Sequence, residues 1–545
     1  MEPGVDENPA HRPHPKTYGG VSFWLSFIAV LVSSFLSALD LTAVGTALPT
    51  ITADLNGQEN FVWIGSAYAL SSTAFLPLSG HLADVFGRKP VMMISIVFFA
   101  IGSALAGAAQ NMNMLIAART IEGIGGGGII NLTDIIISDL VPLVDRGRYQ
   151  GLLGITWAFA SAIGPPIGGS LAEKASWRWL FYINLPLTGI AIVVVGLYLR
   201  IKTPEGSIMT KLKRIDWLGN LIGISGTTLA VVGLTFAGVR FPWSSAQALA
   251  PLIIGMFLIF AFIMYERKVP QEPTIAWEVI SNRTSFCGHM ATMIHGMTSV
   301  SIIYYLPIYF QACLLASPIR SGVDLFPTAF VMSPAAFIAG TVVTTTKKYR
   351  PANIVGWILT VIGFGVLSLL RADSPTGKWV GYQIIVTIGT GIIYVCTIFP
   401  VLAPLPVSRT ATALAFFAFI RTFAQTWGIT ISSTILQNEL KKNLPQAFLS
   451  QFPQGADIAI SAIPLIPDLP EPLQTEVRTA FASSMSVIWK TMIGISGLGV
   501  LTLFGLKEIP MQSHTDENYG LTEKADEEVV VNTTGERGIS TRMCY

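Results

Sequence analysis

Fourteen apolar runs constrain the fold of this chain more than any other feature. A helix needs roughly 20 apolar residues to cross the hydrocarbon core of a bilayer. Most of the runs are close to that length, so we predict an all-α polytopic membrane protein with 14 transmembrane helices. The predicted spans are 22–48, 61–80, 90–109, 113–135, 149–171, 178–199, 216–238, 249–265, 286–312, 323–343, 352–370, 379–403, 411–436 and 485–506.

The composition agrees with a membrane protein and argues against several other classes. Hydrophobic residues make up 51% and charged residues 12% of the 545 residues, and the mean hydropathy is +0.58. Soluble domains carry roughly twice that charged fraction. The net charge of +2 is too small to indicate nucleic-acid binding. The four cysteines are far apart and form no CxxC pair, so neither a disulfide framework nor a zinc site is predicted, and no cofactor is expected.

The distribution of basic residues predicts the orientation. With the N-terminus inside, most Lys and Arg residues of the short loops fall on the cytoplasmic side. The positive-inside rule therefore predicts that both termini are cytoplasmic. The first apolar run is long and is followed by further spans, so it is interpreted as an uncleaved signal anchor.

The segment between the second and third spans reads "GHLADVFGRKP". Gly80 and Gly87 flank Asp84 and allow a tight turn with close approach of two helices. Asp84 suits a position near a helix N-terminus, and Arg88 suits the cytoplasmic surface. The alternative is an ordinary basic loop with no special role.

The stretch "GIGGGG", residues 123–128, matches the G-x-G-x-x-G pattern of dinucleotide-binding loops. Such a loop follows a β-strand and opens a helix. Here the glycines lie inside an apolar span, so the match is accidental. The spacing of Gly123 and Gly127 instead favours close packing of membrane helices.

The fifth span contains "AIGPPIGGSL". Gly164, Gly168 and Gly169 would let this helix approach a neighbour closely, and Pro165 removes a backbone donor and favours a kink. Packing alone is the alternative to a functional hinge.

Four segments, in this order along the chain, resemble the motifs of the major facilitator superfamily, and in particular its fourteen-span drug:proton antiporters. "LDLTAVGTALPTI" is similar to the first-helix motif, "GHLADVFGRKP" to motif A, "LIAARTIEGIGGGG" to motif B and "AIGPPIGGSL" to motif C. "YYLPIYFQACLLASPIRSGVDLFP" and "GVRFPWSS" look most like fungal members. Val85, Gly45 and Glu122 depart from the usual basic residue, Asn and Gln of these motifs.

The resemblance implies the major facilitator fold, in which two six-helix bundles flank two extra helices. It also implies gating by Gly80, Asp84, Gly87 and Arg88, and a leak-preventing seal at motif C. The expected domains are a cytoplasmic tail at 1–20, an N-terminal bundle at 21–200, a linker with two helices at 201–284, a C-terminal bundle at 285–507 with a long outer loop at 437–484, and a disordered cytoplasmic tail at 508–545.

Charged residues inside spans are costly and therefore indicate function or pairing. Arg119 and Glu122 are three residues apart and share a helix face. One hypothesis is that Asp40 or Glu122 binds a coupling proton while Arg119 tunes its affinity, with Asp40 preferred because relatives often have Gln at position 122. The alternative is a self-neutralising ion pair with no transport role.

Four further polar residues lie within or near the spans: Asp134, Arg421, Lys490 and His295. Asp134 is fifteen residues beyond Arg119, about 22 Å along a helix, so the two cannot pair directly. Asp134 is expected near the cytoplasmic end of the fourth span, as a solvated helix terminus.

These features predict a proton-coupled secondary exporter of small amphipathic organic compounds such as drugs, toxins or fungal secondary metabolites. The expected partners are a small-molecule substrate, protons and lipid, in a monomer of the plasma membrane. Alternatives are a vacuolar basic amino-acid or siderophore carrier. A membrane enzyme is disfavoured because the sequence has no HExxH or GxSxG motif.

The predicted orientation makes a testable statement about glycosylation. The sequons at Asn131, Asn282 and Asn532 all fall in the membrane or the cytoplasm, so none is expected to carry a glycan. Treatment with an endoglycosidase should leave the electrophoretic mobility unchanged. A glycan on Asn532 would reverse the assignment of the C-terminus.

Overall fold

The computed structural model describes residues 20–55, 62–204, 206–237, 241–270, 272–450 and 463–516. Within these ranges the chain is helical, apart from loops and one isolated bridge between Ala237 and Phe241. Residues 1–19 and 517–545, which make up most of the tails predicted at 1–20 and 508–545, lie outside the described residues.

The described ranges contain long helices, and several of the connections between them include short helices. The long helices are α1 (Val21–Asp54), α2 (Val62–Phe86), α3 (Arg88–Gly107), α4 (Met112–Leu140), α5 (Leu143–Lys174), α6 (Asn184–Tyr198), α7 (Trp217–Phe236), α8 (Ala246–Lys268), α9 (Arg283–Leu314), α10 (Phe326–Thr346), α11 (Arg350–Leu367), α12 (Thr376–Cys396), α13 (Thr410–Asn443) and α14 (Leu473–Thr502). Short helices occupy Trp179–Tyr182, Ile208–Arg214, Trp277–Ser281, Pro318–Asp324, Ile398–Leu402 and Gln446–Leu449, with 3-10 turns at Val407–Arg409 and Ile463–Asp468.

Twelve helices in the described part of the chain are long and apolar enough to cross a membrane, and they coincide with twelve of the predicted spans. The other two predicted spans, 61–80 and 113–135, fall on α2 and α4. These helices have 25 and 29 residues, which suffices in length, but they are richer in Ser, Gly and charged residues. The all-α polytopic fold is confirmed, and the count of fourteen spans stays a prediction.

The two sets of six helices pack in the same order. Among α1–α6, the second helix contacts the fourth, the third contacts the fourth and sixth, and the first contacts the fifth and sixth. The same pairs recur among α9–α14. We refer to Val21–Tyr198 as the N-terminal bundle and to Arg283–Thr502 as the C-terminal bundle. A repeat of this kind is the architecture of the major facilitator fold.

The bundles meet most extensively along two helix pairs, α2 with α13 and α5 with α10, and α4 also contacts α13. Near the α2–α3 connection, α5 and α10 approach so closely that a Cβ atom on Gly147 would lie 2.7 Å from the Cα atom of Gly340. Further along, the hydroxyl of Ser333 donates to the carbonyl oxygen of Gly154 at 2.7 Å. Glycine at these crossings lets the two bundles meet backbone to backbone.

The two extra helices, α7 and α8, pack against each other, and α7 also contacts α2 and α13. They therefore lie beside one of the two bundle-to-bundle pairs and leave the repeat of six intact.

The chain beyond α14 crosses the end of the molecule at which α2 ends. The carboxylate of Glu508 accepts a hydrogen bond from the backbone N–H of Tyr349 at 2.9 Å, just before α11. Gln512 then donates to the carbonyl oxygen of Leu405 and accepts from the backbone N–H of Val144 at 3.3 Å. Residues 508–512 thus touch both bundles.

Helices extend into the range predicted as a long loop, 437–484. The helix α13 continues to Asn443 and α14 begins at Leu473, so the connection runs from 444 to 472. Polar residues such as Glu439 and Glu476 end the apolar pattern but do not end a helix. Residues 451–462 of this connection lie outside the described residues.

The crossing of α5 and α10 predicts a stability difference between two glycine substitutions. A Cβ atom at Gly147 would lie 2.7–3.0 Å from the backbone of Gly340. A Cβ atom at Gly365 on α11 would meet no heavy atom within 4 Å apart from the backbone of its own helix. We expect Gly147→Ala to destabilise the protein by about 1–3 kcal/mol. Gly365→Ala should be neutral or slightly stabilising, because alanine favours helices. Thermal unfolding of the detergent-purified variants measures both, and equal melting temperatures would contradict the packing.

Candidate functional site: a buried charge cluster and the contacts between the bundles

The helix α4 lies inside the N-terminal bundle because its glycines admit two neighbours. A Cβ atom on Gly127 would lie 2.7 Å from the carbonyl oxygen of Ser72 on α2, and one on Gly125 would lie 2.5 Å from that of Ser95 on α3. Gly102 of α3 faces the backbone of Glu122 in the same way. The GIGGGG run therefore packs helices, and in doing so it positions Glu122 deep inside the bundle.

Arg119 is shared between two buried carboxylates. One guanidinium nitrogen, Nη1, lies 2.7 Å from Oδ2 of Asp40 and 2.7 Å from Oε2 of Glu122. Its Nε donates to the carbonyl oxygen of Ile64 at 3.2 Å. Arg119, Asp40 and Glu122 are each at most 2% exposed. The structure thus brings together the three charged residues that the sequence singled out.

Two polar residues that sequence reasoning did not select complete this cluster. The amide of Asn184 on α6 donates to Oδ1 of Asp40 at 3.0 Å and to the hydroxyl of Ser103 at 2.9 Å. Ser103 on α3 donates in turn to Oε1 of Glu122. Asn184 lies within "WRWLFYINLPLTG", a segment typical of the resembled family, which is the one signal that could have found it.

An aromatic wall covers the guanidinium. The ring of Tyr68 lies 4.6 Å and the ring of Phe181 lies 5.7 Å from Cζ of Arg119. Both rings are nearly inaccessible to solvent. They favour the cation through their π faces and keep water away from the ion pairs.

The cluster carries more negative than positive charge. Among the described residues, Arg119 is the only cationic side chain bonded to Asp40 and Glu122. If both carboxylates are ionised, one negative charge remains without a partner in a buried site, which costs several kcal/mol. One bound proton would remove that charge.

Motif A ties three helices of the N-terminal bundle together. Arg88 donates from Nε to Oδ2 of Asp139 at 2.7 Å and from Nη1 to Oδ1 of Asp84 at 3.0 Å. Asp139, at the end of α4, was not selected from the sequence, because only the fold brings it to Arg88. Thr412 of α13 donates to Oδ2 of Asp84 at 3.3 Å, so the motif also reaches the C-terminal bundle.

The two motif A glycines have different roles. Gly87 separates α2 from α3 with a φ of 94°, a left-handed conformation that favours glycine. Gly80 faces the side chain of Ala415 on α13, where a Cβ atom would clash. Gly87 thus shapes the turn, and Gly80 lets the two bundles approach each other.

Motif C lies along the crossing of α5 and α1. A Cβ atom on Gly164 would clash with the hydroxyl of Thr42, which itself lies 3.3 Å from the carbonyl oxygen of Ala160. Gly168 is buried on the same helix. Pro165 and Gly169 also belong to α5, but their surroundings fall outside the described part of the chain. Close packing at Gly164 is compatible with a seal.

The remaining intramembrane polar residues separate into two groups. Asp134 is not at a helix terminus as expected, because α4 continues to Leu140. It accepts from Gln150 at 3.0 Å and lines a cleft that also contains Arg421. His295 lies beside this cleft on α9, whereas Lys490 on α14 is exposed. Among the described residues, no group of three His, Cys, Asp or Glu side chains could hold a metal ion.

Comparison with known sequences gives a consistent result. The model of the Major Facilitator Superfamily matches residues 30–429. The chain is 38% identical over 532 residues to "Efflux pump FUS6" of Gibberella fujikuroi, covering 96% of this chain and 95% of that protein. It is 38% identical to "MFS-type transporter gkaD" of Penicillium citrinum, with coverages of 93% and 88%. It is 37% identical to the "Acurin A biosynthesis cluster MFS-type transporter" of Aspergillus aculeatus, with coverages of 92% and 92%.

Solved structures share the fold at low sequence identity. The human organic anion transporter MFSD10 superposes with a TM-score of 0.59 at 14% identity, covering 88% of this chain and 99% of that one. The proton:xylose symporter XylE superposes with a TM-score of 0.55 at 13% identity, with coverages of 91% and 98%.

The buried pair of Arg88 and Asp139 predicts a large effect of one substitution and a small effect of its surface counterpart. Arg88 is 2% exposed and Asp139 is 5% exposed. Removing one member of a buried pair costs about 3–5 kcal/mol, and we expect the lower value for Asp139→Asn because Asp84 still holds Arg88.

The matched control is Glu278→Gln. Glu278 pairs with Arg409 at 3.2 Å, and the two side chains are 60% and 40% exposed. A pair of this kind contributes less than about 1 kcal/mol. Thermal unfolding in detergent should separate the two variants, and a similar loss in both would contradict a structural role of Asp139.

Proposed function

Because this chain belongs to the major facilitator superfamily, we propose that it couples the export of small organic compounds to the entry of protons. It is an efflux transporter of the fungal type, since relatives named efflux pumps or cluster transporters match it over nearly its whole length. We propose that its substrates are amphipathic toxins, drugs or secondary metabolites. We also propose that it acts as a monomer in the plasma membrane with both termini in the cytoplasm.

The observation that supports proton coupling is the charge imbalance around Arg119. Two carboxylates share one guanidinium nitrogen at 2.7 Å each in a site closed to solvent. Burial of the extra negative charge is unfavourable, so the sealed conformation favours the protonated cluster. A conformation that admits water to the site would tolerate the deprotonated cluster. Proton binding and conformation are thereby linked.

The hydrogen bonds around the two carboxylates favour Glu122 as the group that takes the proton. Asp40 accepts from Nη1 of Arg119 and from the amide of Asn184, two groups that donate but cannot accept a hydrogen bond from a carboxylic acid. Oε1 of Glu122 accepts from the amide of Asn184 at 3.4 Å, but it also faces the hydroxyl of Ser103, which can reverse its role and accept a hydrogen bond from a carboxylic acid. We therefore propose Glu122 as the proton carrier, whereas the sequence alone favoured Asp40.

The motif A contacts supply a gate that responds to separation of the bundles. Asp84 receives hydrogen bonds from Arg88 within its own bundle and from Thr412 of the other bundle. Rocking of the bundles would break the contact with Thr412 and the close approach of Gly80 to Ala415, while the bond between Arg88 and Asp139 stays within one bundle. The gate therefore opens at the boundary between the two bundles, which we call the seam, without loss of a buried ion pair.

The unbalanced negative charge of the cluster predicts the behaviour of two neutralising variants. Glu122→Gln and Asp40→Asn each leave one carboxylate for one guanidinium, so the cluster no longer needs a proton. We expect both variants to lose accumulation of substrate driven by a pH gradient, while substrate exchange without a gradient persists. The assay is uptake of the cationic dye rhodamine B methyl ester into inside-out membrane vesicles, with and without a protonophore.

The matched control is Glu476→Gln, which removes an exposed carboxylate at the start of α14 and should leave gradient-driven uptake unchanged. Gradient-driven uptake that survives in both cluster variants would show that the ion pairs around Arg119 are only structural.

A further inference from the structure

A second charged site lies between the two bundles. A small cleft separates α4 and α5 from α12 and α13. In this conformation it admits little more than a water molecule, so a ligand can occupy it only once the bundles separate. Its lining residues are Asp134, Gln150, Tyr394, Val395, Ile398, Phe417 and Arg421.

The guanidinium of Arg421 is held flat in this cleft with donors to spare. Its Cζ atom lies 4.3 Å from the ring centre of Tyr394 and 4.4 Å from that of Phe417. Nη2 donates to the carbonyl oxygen of Tyr394 at 2.9 Å. Nε is buried and has no hydrogen-bond partner among the described residues. An arginine carries five N–H donors, so Arg421 keeps at least one of them, Nε, that no described residue occupies.

The negative charge that faces Arg421 belongs to the other bundle. Asp134 of α4 lines the same cleft, and its Oδ1 accepts from Gln150 of α5 at 3.0 Å. The described residues show no ion pair within 4.0 Å between Asp134 and Arg421. Asp134 therefore balances the charge of Arg421 across the cleft only while the bundles are together.

We propose that Arg421 anchors an acidic, planar group of the exported compound, such as a carboxylate. Separation of the bundles carries Asp134 away with α4 and leaves Arg421 without a facing anion. An acidic substrate restores that balance through the free donors of the guanidinium, and the rings of Tyr394 and Phe417 contact its apolar part. Return of Asp134 as the bundles close then competes with the bound acid.

This role of Arg421 rests on the proposed export function and names the class of substrate that is exported. It is independent of the charge cluster around Arg119, which lies wholly within the N-terminal bundle. The two can therefore be tested with different variants.

The experiment compares a carboxylate with its own ester. Uptake of rhodamine B, which has a free carboxylate, and of rhodamine B methyl ester is measured in inside-out vesicles under the same pH gradient. The variants are Arg421→Gln, Arg421→Lys and the control Lys490→Gln, which removes an exposed positive charge from α14. Size-exclusion chromatography of each purified variant checks its folding.

Loss of the charged hydrogen bond predicts a selective effect. Arg421→Gln should lower uptake of the carboxylate about tenfold or more and change uptake of the ester by less than about twofold. Arg421→Lys should recover part of the carboxylate uptake, because the charge remains but the planar fork is lost. Lys490→Gln should behave as the unaltered protein.

Other outcomes distinguish failure of the acidic substrate class from failure of the export function. An unaltered protein that moves the ester but not the carboxylate overturns the acidic substrate class and leaves the export function intact. An equal change for both dyes in Arg421→Gln overturns the anchoring role in favour of a structural one. Failure of the unaltered protein to move either dye under a pH gradient contradicts the proposed export function itself.

Discussion

The sharing of one buried guanidinium by two carboxylates is the interaction on which the N-terminal bundle depends. Arg119 can meet both Asp40 and Glu122 only if α1 and α4 converge, and Asn184 adds α6 to the same point. Polar groups at this depth need partners from neighbouring helices, because no water is present to replace them. The glycines of α4 make the convergence possible by removing side chains from the surfaces that face α2 and α3.

The two bundles share a packing order but differ in their buried charge. The N-terminal bundle holds a cluster with one anion too many, and the C-terminal bundle holds Arg421 without an ion-pair partner among the described residues. The first site lies inside one bundle and the second lies at the seam. A conformational change at the seam alters the surroundings of Arg421 directly and those of Arg119 only through water access.

The sequence predicts the local part of the site better than the tertiary part. Arg119 and Glu122 share a helix face because they are three residues apart, and the spans follow from apolar length. The partners Ser103, Asn184 and Asp139 lie on other helices, and no local pattern marks them as members of a charged network. The GIGGGG run illustrates the limit: its spacing indicates close packing, whereas only the fold shows which two helices it admits.

Charge movement connects the two sites. If protons enter while an acid leaves, both steps carry positive charge inward, one as a cation entering and one as an anion leaving. A membrane potential that is negative inside adds about 2.3 kcal/mol per charge for each 100 mV, so such an exchange gains from both the pH gradient and the potential. Glu122, which stands where resembled transporters usually have Gln, supplies the extra negative charge of the first site. If Glu122 carries the proton as proposed, the free energy released by each entering proton is added to that of the anion's exit.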